Sequence, residues 1–548
     1  MRKVSLLFAT LALGVMSLTA VQAQDKVIKI ASQSPLSGPQ SSLGIGISNG
    51  VALAIEQLSG PLTEAGFTVE YVPFDDEATP DKGVSNAQQI VADPAILGVV
   101  GHLNSGVAIP SSEVYNDSDL VMVSPANTNP TVTDRGYLTV NRICGRDDLQ
   151  GPTGAQYAFD QGVTSVYILD DTTAYGVGIA DFFQAKAEEL GVVVLGRQGT
   201  AEVANFDSLI TPILALAPEM IYFGGIFNQT AVFISQVRAA GFEGLIMGGD
   251  GFDSADFAAL AGDAGVGTLY TSTAGPASLF ENAAQFIEDY TAKYGEAPRP
   301  YATEAYDSAA IILKAIESLV MGNGGEVPSR ADVAGAVRAI NYDGLTGNIT
   351  FDVIGDRTTA TYYVLEVGTA DPATWGDNAV ISTVDLLSPT TAMNMEMSEA
   401  MDTQGKTIAE LVVEAATAAD GAEFTTLLAA VSAADPVVLE NLSNPDAQYT
   451  VFAPTDAAFA AVPAETLAAV LADQELLTQI LMYHVVDGAV LSTELTSMMA
   501  DTMLGAQLDI VVSDSGVTVN GANVIIADIV AKNGVIHVID AVLLPPSN

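Results

Sequence analysis

From residue 27 onward, strand-length apolar runs alternate with amphipathic stretches. Segments 27–31 and 69–74 read as strands, and 96–101 and 120–124 are valine-rich runs of the kind buried on both faces of a parallel sheet. Between them, 46–58 carries Ile47, Val51, Ala54, Ile55 and Leu58 at helical spacing, and 83–91 and 108–115 supply two more helices. A second series starts past Gly151, with helices at 154–161 and 178–190 and strands at 165–169, 192–195, 220–224 and 245–249. Strict alternation of strand and helix predicts an α/β fold with two doubly wound parallel sheets over residues 24–370.

The periodicity fades over 371–405, a stretch rich in Thr, Met, Ser and acids that reads as a linker with, at most, a short strand at 380–387. Residues 406–548 resume regular structure as a separate domain. There 449–452 and 535–544 look like core strands, Thr455 or Asp456 is placed to cap the helix that follows, and 517–520 and 524–526 flank Gly521 as a hairpin would.

Charge and targeting narrow the function classes. Arg2 and Lys3, an apolar run, and small residues at Val21 and Ala23 make 1–23 read as a secretory signal peptide, predicting an exported protein of the periplasm or cell surface. The apolar run is short for a membrane span, and Cys144, the single cysteine, permits no internal disulfide and is expected as a small core or hinge residue. Sixty-six acids against nineteen bases give a formal charge of −47, yet only 16% of residues are charged. Bases have been lost more than acids gained, a surface that repels nucleic acid and anionic lipid and suits salty water.

The chemistry-bearing positions point to capture rather than catalysis. After the run 96–101 come Asn104, Ser105 and Gly106; after 120–124 come Ala126, Asn127 and Thr128. Ligands bind at the carboxyl ends of parallel strands, where hydroxyls and helix-start N–H groups suit a carboxylate and carbonyls suit an ammonium. The histidines, His102, His484 and His537, lie in three unrelated motifs and are expected to serve the core. Residues 46–50 match G-x-S-x-G, but they open an amphipathic helix rather than follow a strand, so a helix start is expected, not a nucleophile. Asp250, Asp253 and Asp256 lack the spacing of a calcium loop, and no phosphate- or dinucleotide-binding loop is found. Neither an enzyme nor a cofactor is expected.

The segments PLSGPQSSLG (35–44), GHLNSG (101–106), SPANTNP (124–130), RGY (135–137), DDTTAYGVG (170–178), YFGG (222–225) and MGGDG (247–251), in this order and spacing, resemble the branched-chain amino-acid-binding family of ABC importers, the type I periplasmic binding proteins. Likewise TIAEL (407–411), QYTVFAPTDAAF (448–459), MYHVV (482–486) and NGVIHVIDAVLLP (533–545) resemble a fasciclin (FAS1) domain, α+β, over 406–548. The first resemblance implies two hinged lobes with a cleft between them, and a ligand set. Ser105 and Thr128 would take the carboxylate of an amino acid or similar solute, the Ala126 carbonyl and Asp250 its ammonium, with Asn127 on the same loop. Tyr175 would close from the second lobe, and Tyr301 would lie near the ligand side chain. Leu43 and Ile226 stand where relatives often carry aromatics, and Asp250 where they carry glutamate, which loosens the expectation of leucine. The resemblance further implies ABC permease subunits as partners and, through the fasciclin domain, an extracellular polymer or protein; an adhesion or sensory protein is the rival reading.

Overall fold

The computed structural model describes residues 26–392, 405–418, 422–492, 497–513 and 516–546. The expected signal peptide and the end of the expected linker lie outside these residues.

The first lobe is built on a five-stranded sheet of order β2-β1-β3-β4-β5, all parallel: β1 (Lys26–Ser34), β2 (Phe67–Asp75), β3 (Ile96–Gly101), β4 (Val121–Ser124) and β5 (Val140–Arg142). Every residue of β3 and β4 is buried, as their unbroken apolar composition requires. Helix Ser41–Leu58 begins earlier than its periodicity suggests and packs along helix Ala302–Gly322, which returns late in the chain to complete this lobe. The G-x-S-x-G match falls inside helix Ser41–Leu58, and its glycines have a packing reason. A Cβ on Gly46 would stand 2.7 Å from the Pro300 carbonyl oxygen, and one on Gly50 2.2 Å from that of Ala302.

The second lobe holds β6 (Ser165–Asp170), β7 (Val193–Gly199), β8 (Met220–Gly224), β9 (Leu245–Gly248) and β10 (Leu269–Ser272). After a small hairpin of β11 (Asn341–Gly344) and β12 (Gly347–Thr350), its sheet is completed by β13 (Thr359–Glu366) and β14 (Ala379–Leu387), giving the order β14-β13-β10-β9-β8-β6-β7. The sheet is parallel from β10 to β7, but β13 and β14 join antiparallel, so it is mixed at one edge. Much of the stretch expected as linker therefore belongs to this lobe. β14 pairs along nearly all of β13, and Trp375 is buried against Phe257 and Tyr270. The main chain crosses between the lobes three times, near 143–146, 273–283 and 351–358.

The C-terminal domain has its own seven-stranded sheet, order β16-β15-β21-β20-β19-β18-β17: β15 (Tyr449–Pro454), β16 (Val485–Asp487), β17 (Met498–Asp501), β18 (Gln507–Ser513), β19 (Gly516–Val519), β20 (Ala522–Ala531) and β21 (Gly534–Ile539). Its apolar clusters share no residue with those of the lobes. Thr455 caps helix Asp456–Ala460 by accepting from the Ala458 N–H, while the Asp456 carboxylate accepts from the Thr425 and Thr426 N–H groups. The β19–β20 hairpin turns through Asn520 and Gly521 at φ +50° and +84°, the left-handed geometry an Asn-Gly pair supplies. His484 links the Ile480 carbonyl to the Leu543 N–H, and His537 links the Val490 carbonyl to the Asp528 N–H. Burial pushes His484 down to about 4, so it is a neutral strut.

Candidate functional site

Strands that end at the cleft hand the chain to a loop or a helix start that carries a predicted residue. Leu43 follows β1, Ser105 follows β3, and Ala126, Asn127 and Thr128 follow β4; from the other lobe, Tyr175 follows β6, Ile226 follows β8 and Asp250 follows β9. Tyr301 precedes helix Ala302–Gly322 in a left-handed conformation, φ +66°. All nine are buried, and the lobes meet across them. The Asn129 side chain donates to the Ala174 carbonyl at 2.8 Å, the Ser42 and Ser254 hydroxyls lie 3.2 Å apart, and a Cβ on Gly106 would touch that of Ala174 at 3.8 Å. Ser105 is the first residue of helix Ser105–Asn116 and Ala174 the first of helix Ala174–Glu189, so two helix N-termini, each with partial positive charge, face one another from opposite lobes.

Asp250 is the best-defined member. Its Oδ1 accepts from the Tyr175 hydroxyl at 2.7 Å and Gln150 Nε2 at 3.1 Å; its Oδ2 accepts from the Tyr301 hydroxyl at 2.9 Å. Tyr301 thus reaches Asp250 from the opposite lobe. Burial raises the Asp250 carboxyl above its ordinary range, and the three donors pull it only part of the way back. Tyr175 Oη also accepts the Gly251 N–H at 2.9 Å, which fixes the turn that aims Asp250.

Asn127 behaves differently from the expected ligand contact. Its Oδ1 accepts from the His102 N–H and the Ser124 hydroxyl, both at 2.8 Å, and its Nδ2 donates to the Leu103 carbonyl, so the side chain is committed to holding its own lobe's loops together. Thr128 keeps its hydroxyl buried and without a hydrogen bond. The Ser105 hydroxyl accepts only a long bond, 3.4 Å, from the Asn129 N–H.

The sequence reading missed Asp147 and Gln150. Helix Asp147–Asp160 begins two turns before the expected start, because Gly151, Pro152 and Gly154 mask its first turns; the acidic pair Asp147–Asp148 was the available signal for a helix N-terminus. Asp147 is wholly buried, and neither carboxylate oxygen has a hydrogen-bond partner, nor do Gln150 Oε1 and Tyr222 Oη. Burial and then the nearby Asp250 drive the Asp147 carboxyl well above its usual range. Two carboxylates and several unsatisfied polar atoms are therefore buried close together, an arrangement that favours a ligand bearing a positive charge and hydrogen-bond donors.

Beneath the site lies the hinge. Arg142, fully buried, donates through Nε to Asp356 Oδ1 at 2.5 Å and through Nη1 to the carbonyls of Asn127 and Asn129 at 3.0 and 2.9 Å. Arg146 reaches Asp356 Oδ2 at 2.6 Å. Burial acts to raise Asp356, but the two guanidiniums overcome it and hold the carboxyl below its ordinary range. Cys144, in the same crossing, is buried and donates to the Asn127 carbonyl.

The family described as "Periplasmic binding protein" matches residues 27–372, and that described as "Fasciclin domain" matches 422–545. A leucine-, isoleucine-, valine-, threonine- and alanine-binding protein of Pseudomonas aeruginosa is 30% identical over 367 residues, covering 67% of this chain and 96% of that protein. The Leu/Ile/Val-binding protein homolog 2 of Brucella abortus is 31% identical, covering 62% of this chain and 90% of its own. Among solved structures, a leucine-binding protein from Thermotoga maritima superposes with a TM-score of 0.59 at 28% identity, covering 66% of this chain and 99% of that one.

Proposed function

We propose, from the premise that this chain belongs to the periplasmic binding protein family, that it is the exported substrate-binding protein of an ABC importer and closes two lobes around an amino acid. The observation that carries this reading is the Asp250 carboxylate, held by Tyr175 and Gln150 from one lobe and Tyr301 from the other. In the proposed complex the ligand carboxylate sits at Ser105 and the helix start behind it, with the Thr128 hydroxyl helping. The ammonium lies between the Ala126 carbonyl and Asp250. Tyr175 closes over the ligand, and Leu43, Ile226 and Tyr301 border its side chain.

Asn127 acts by shaping the loop, and Arg142 fixes that loop to the hinge. Micromolar binding corresponds to about −8 kcal/mol, which a few charge-assisted hydrogen bonds in a water-excluded cleft can supply. Such a protein needs no catalytic residue. The fasciclin domain would attach the protein to envelope or extracellular material. A second reading, an adhesion or sensory protein whose lobes detect a solute, is favoured by that domain alone; retention of residues 406–548 by themselves on cell-wall material would support it, and growth dependence on a neighbouring permease would support import.

Titration calorimetry with amino acids tests the main reading. Asp250→Ala strips a buried cation of its partner, worth roughly 2–5 kcal/mol, and is expected to weaken binding by tens to thousands of fold. Unchanged affinity would remove Asp250 from the site.

A further inference from the structure

Next to the Asp250 site, and sharing Tyr301 as a wall, lies a cavity of about 570 Å³. Its volume alone falls in the range of roughly 300–1,000 Å³ that encloses drug-sized ligands, far more room than the side chain of leucine or valine fills. Tyr270, Tyr301 and Trp375 give it aromatic surface, and Leu43 lines it from the first lobe. Asp253 enters it three residues past Asp250, its buried carboxylate oriented by a 2.7 Å hydrogen bond from Trp375 Nε1. Asp256 and Asp377 bring further negative charge to the walls, whereas Glu296 is paired with Arg299.

Arg299 is the single cationic side chain among the lining residues, and it is spent. Its Nε and Nη2 grip the two oxygens of Glu296 at 2.7 and 3.0 Å, and Nη1 donates to the Ser42 carbonyl at 3.3 Å. An acidic side chain entering here would meet carboxylates and no available cation. A flat cation would meet aromatic faces and the carboxylates of Asp253, Asp256 and Asp377, because a guanidinium stacks on aromatic rings and pairs with carboxylates through a rigid fork of donors.

We propose that the solute is an amino acid with a long side chain that passes Tyr301 into this cavity and ends in a guanidinium or a similarly flat cation. This inference rests on the amino-acid reading above and narrows its substrate class. Calorimetry on the full chain with L-arginine and L-leucine tests it. Arginine is expected to bind at least tenfold more tightly than leucine. Asp256→Lys, a change at an exposed rim position, is expected to cut that ratio at least tenfold, and Asp253→Asn, which keeps an acceptor for Trp375, to cut it further.

Leucine binding as tightly as arginine would overturn the inference and leave the amino-acid reading standing, as would an arginine-to-leucine ratio that neither variant moves. Binding of neither amino acid would overturn both. Leu43→Trp gives a check independent of charge: by narrowing the way past Tyr301 it should weaken arginine more than leucine, and an equal loss for both would count against the cavity as the side-chain subsite.

Discussion

Asp147 and Asp250 are two buried, neighbouring carboxylates with no salt bridge to either among the described residues. Each has a folded-state pKa above its ordinary value, so between that ordinary value and the raised one the folded protein holds protons that the unfolded chain has already released. Stability therefore falls as pH rises through this window. A bound ammonium reverses the cost, because it favours the charged forms. Asp147→Asn removes this titrating group and is expected to raise the unfolding midpoint of the unliganded protein at pH 7 by about 1–3 °C, with the gain fading toward pH 4, where the unfolded carboxyl is itself about half protonated. A midpoint that drops at pH 7, or a gain that persists at pH 4, would show that Asp147 is already compensated. In the same variant, amino-acid affinity should fall if the ligand's positive end faces both acids.

Among the elements, legibility followed burial. β3 and β8 were bounded to the residue because an unbroken apolar run of strand length between small polar loops admits one reading. Helix starts were legible only where no glycine or proline intervened. Ser41–Leu58 and Asp147–Asp160 both begin before Gly- or Pro-containing turns, and the second error hid Asp147 and Gln150. The strand at 380–387 was legible and is β14, but its place in the second lobe's sheet was not, because β14 is mostly exposed and is fixed there by antiparallel pairing with β13. Asn127 shows the limit at a single site residue: its position on the loop was legible, but the direction of its side chain depends on His102, Leu103 and Ser124 around it.

The hinge elements also carry a prediction. Arg142→Leu would leave Asp356 and two loop carbonyls short of a partner inside the protein. Breaking a buried pair from one side costs about 3–5 kcal/mol, so denaturant unfolding of the lobes should shift by that order, while the fasciclin transition stays in place. A shift below about 1 kcal/mol would mean that Arg146 alone sustains Asp356.

At the scale of the whole molecule, separate apolar cores predict separate unfolding. Calorimetry is expected to resolve two transitions, with an amino-acid ligand moving only that of the lobes; a single transition that shifts as a unit would contradict this. The charge of −47 acts on both. In residues 406–548 the only basic side chains are Lys406 and Lys532, so self-repulsion there has little internal relief. Raising ionic strength from low salt to seawater-like conditions shortens the Debye length and should raise both midpoints, that of the fasciclin domain more.

The triple crossing between the lobes has a mechanical consequence. A protease that severs any one of the three connections leaves the halves tethered by the other two, so a nicked molecule should run as fragments once denatured yet migrate whole under native conditions and still retain its solute. Three tethers also let the halves bend toward each other while resisting a slide or a twist, which would bring the proposed contacts at Ser105 and Asp250 back to the same register at each closure.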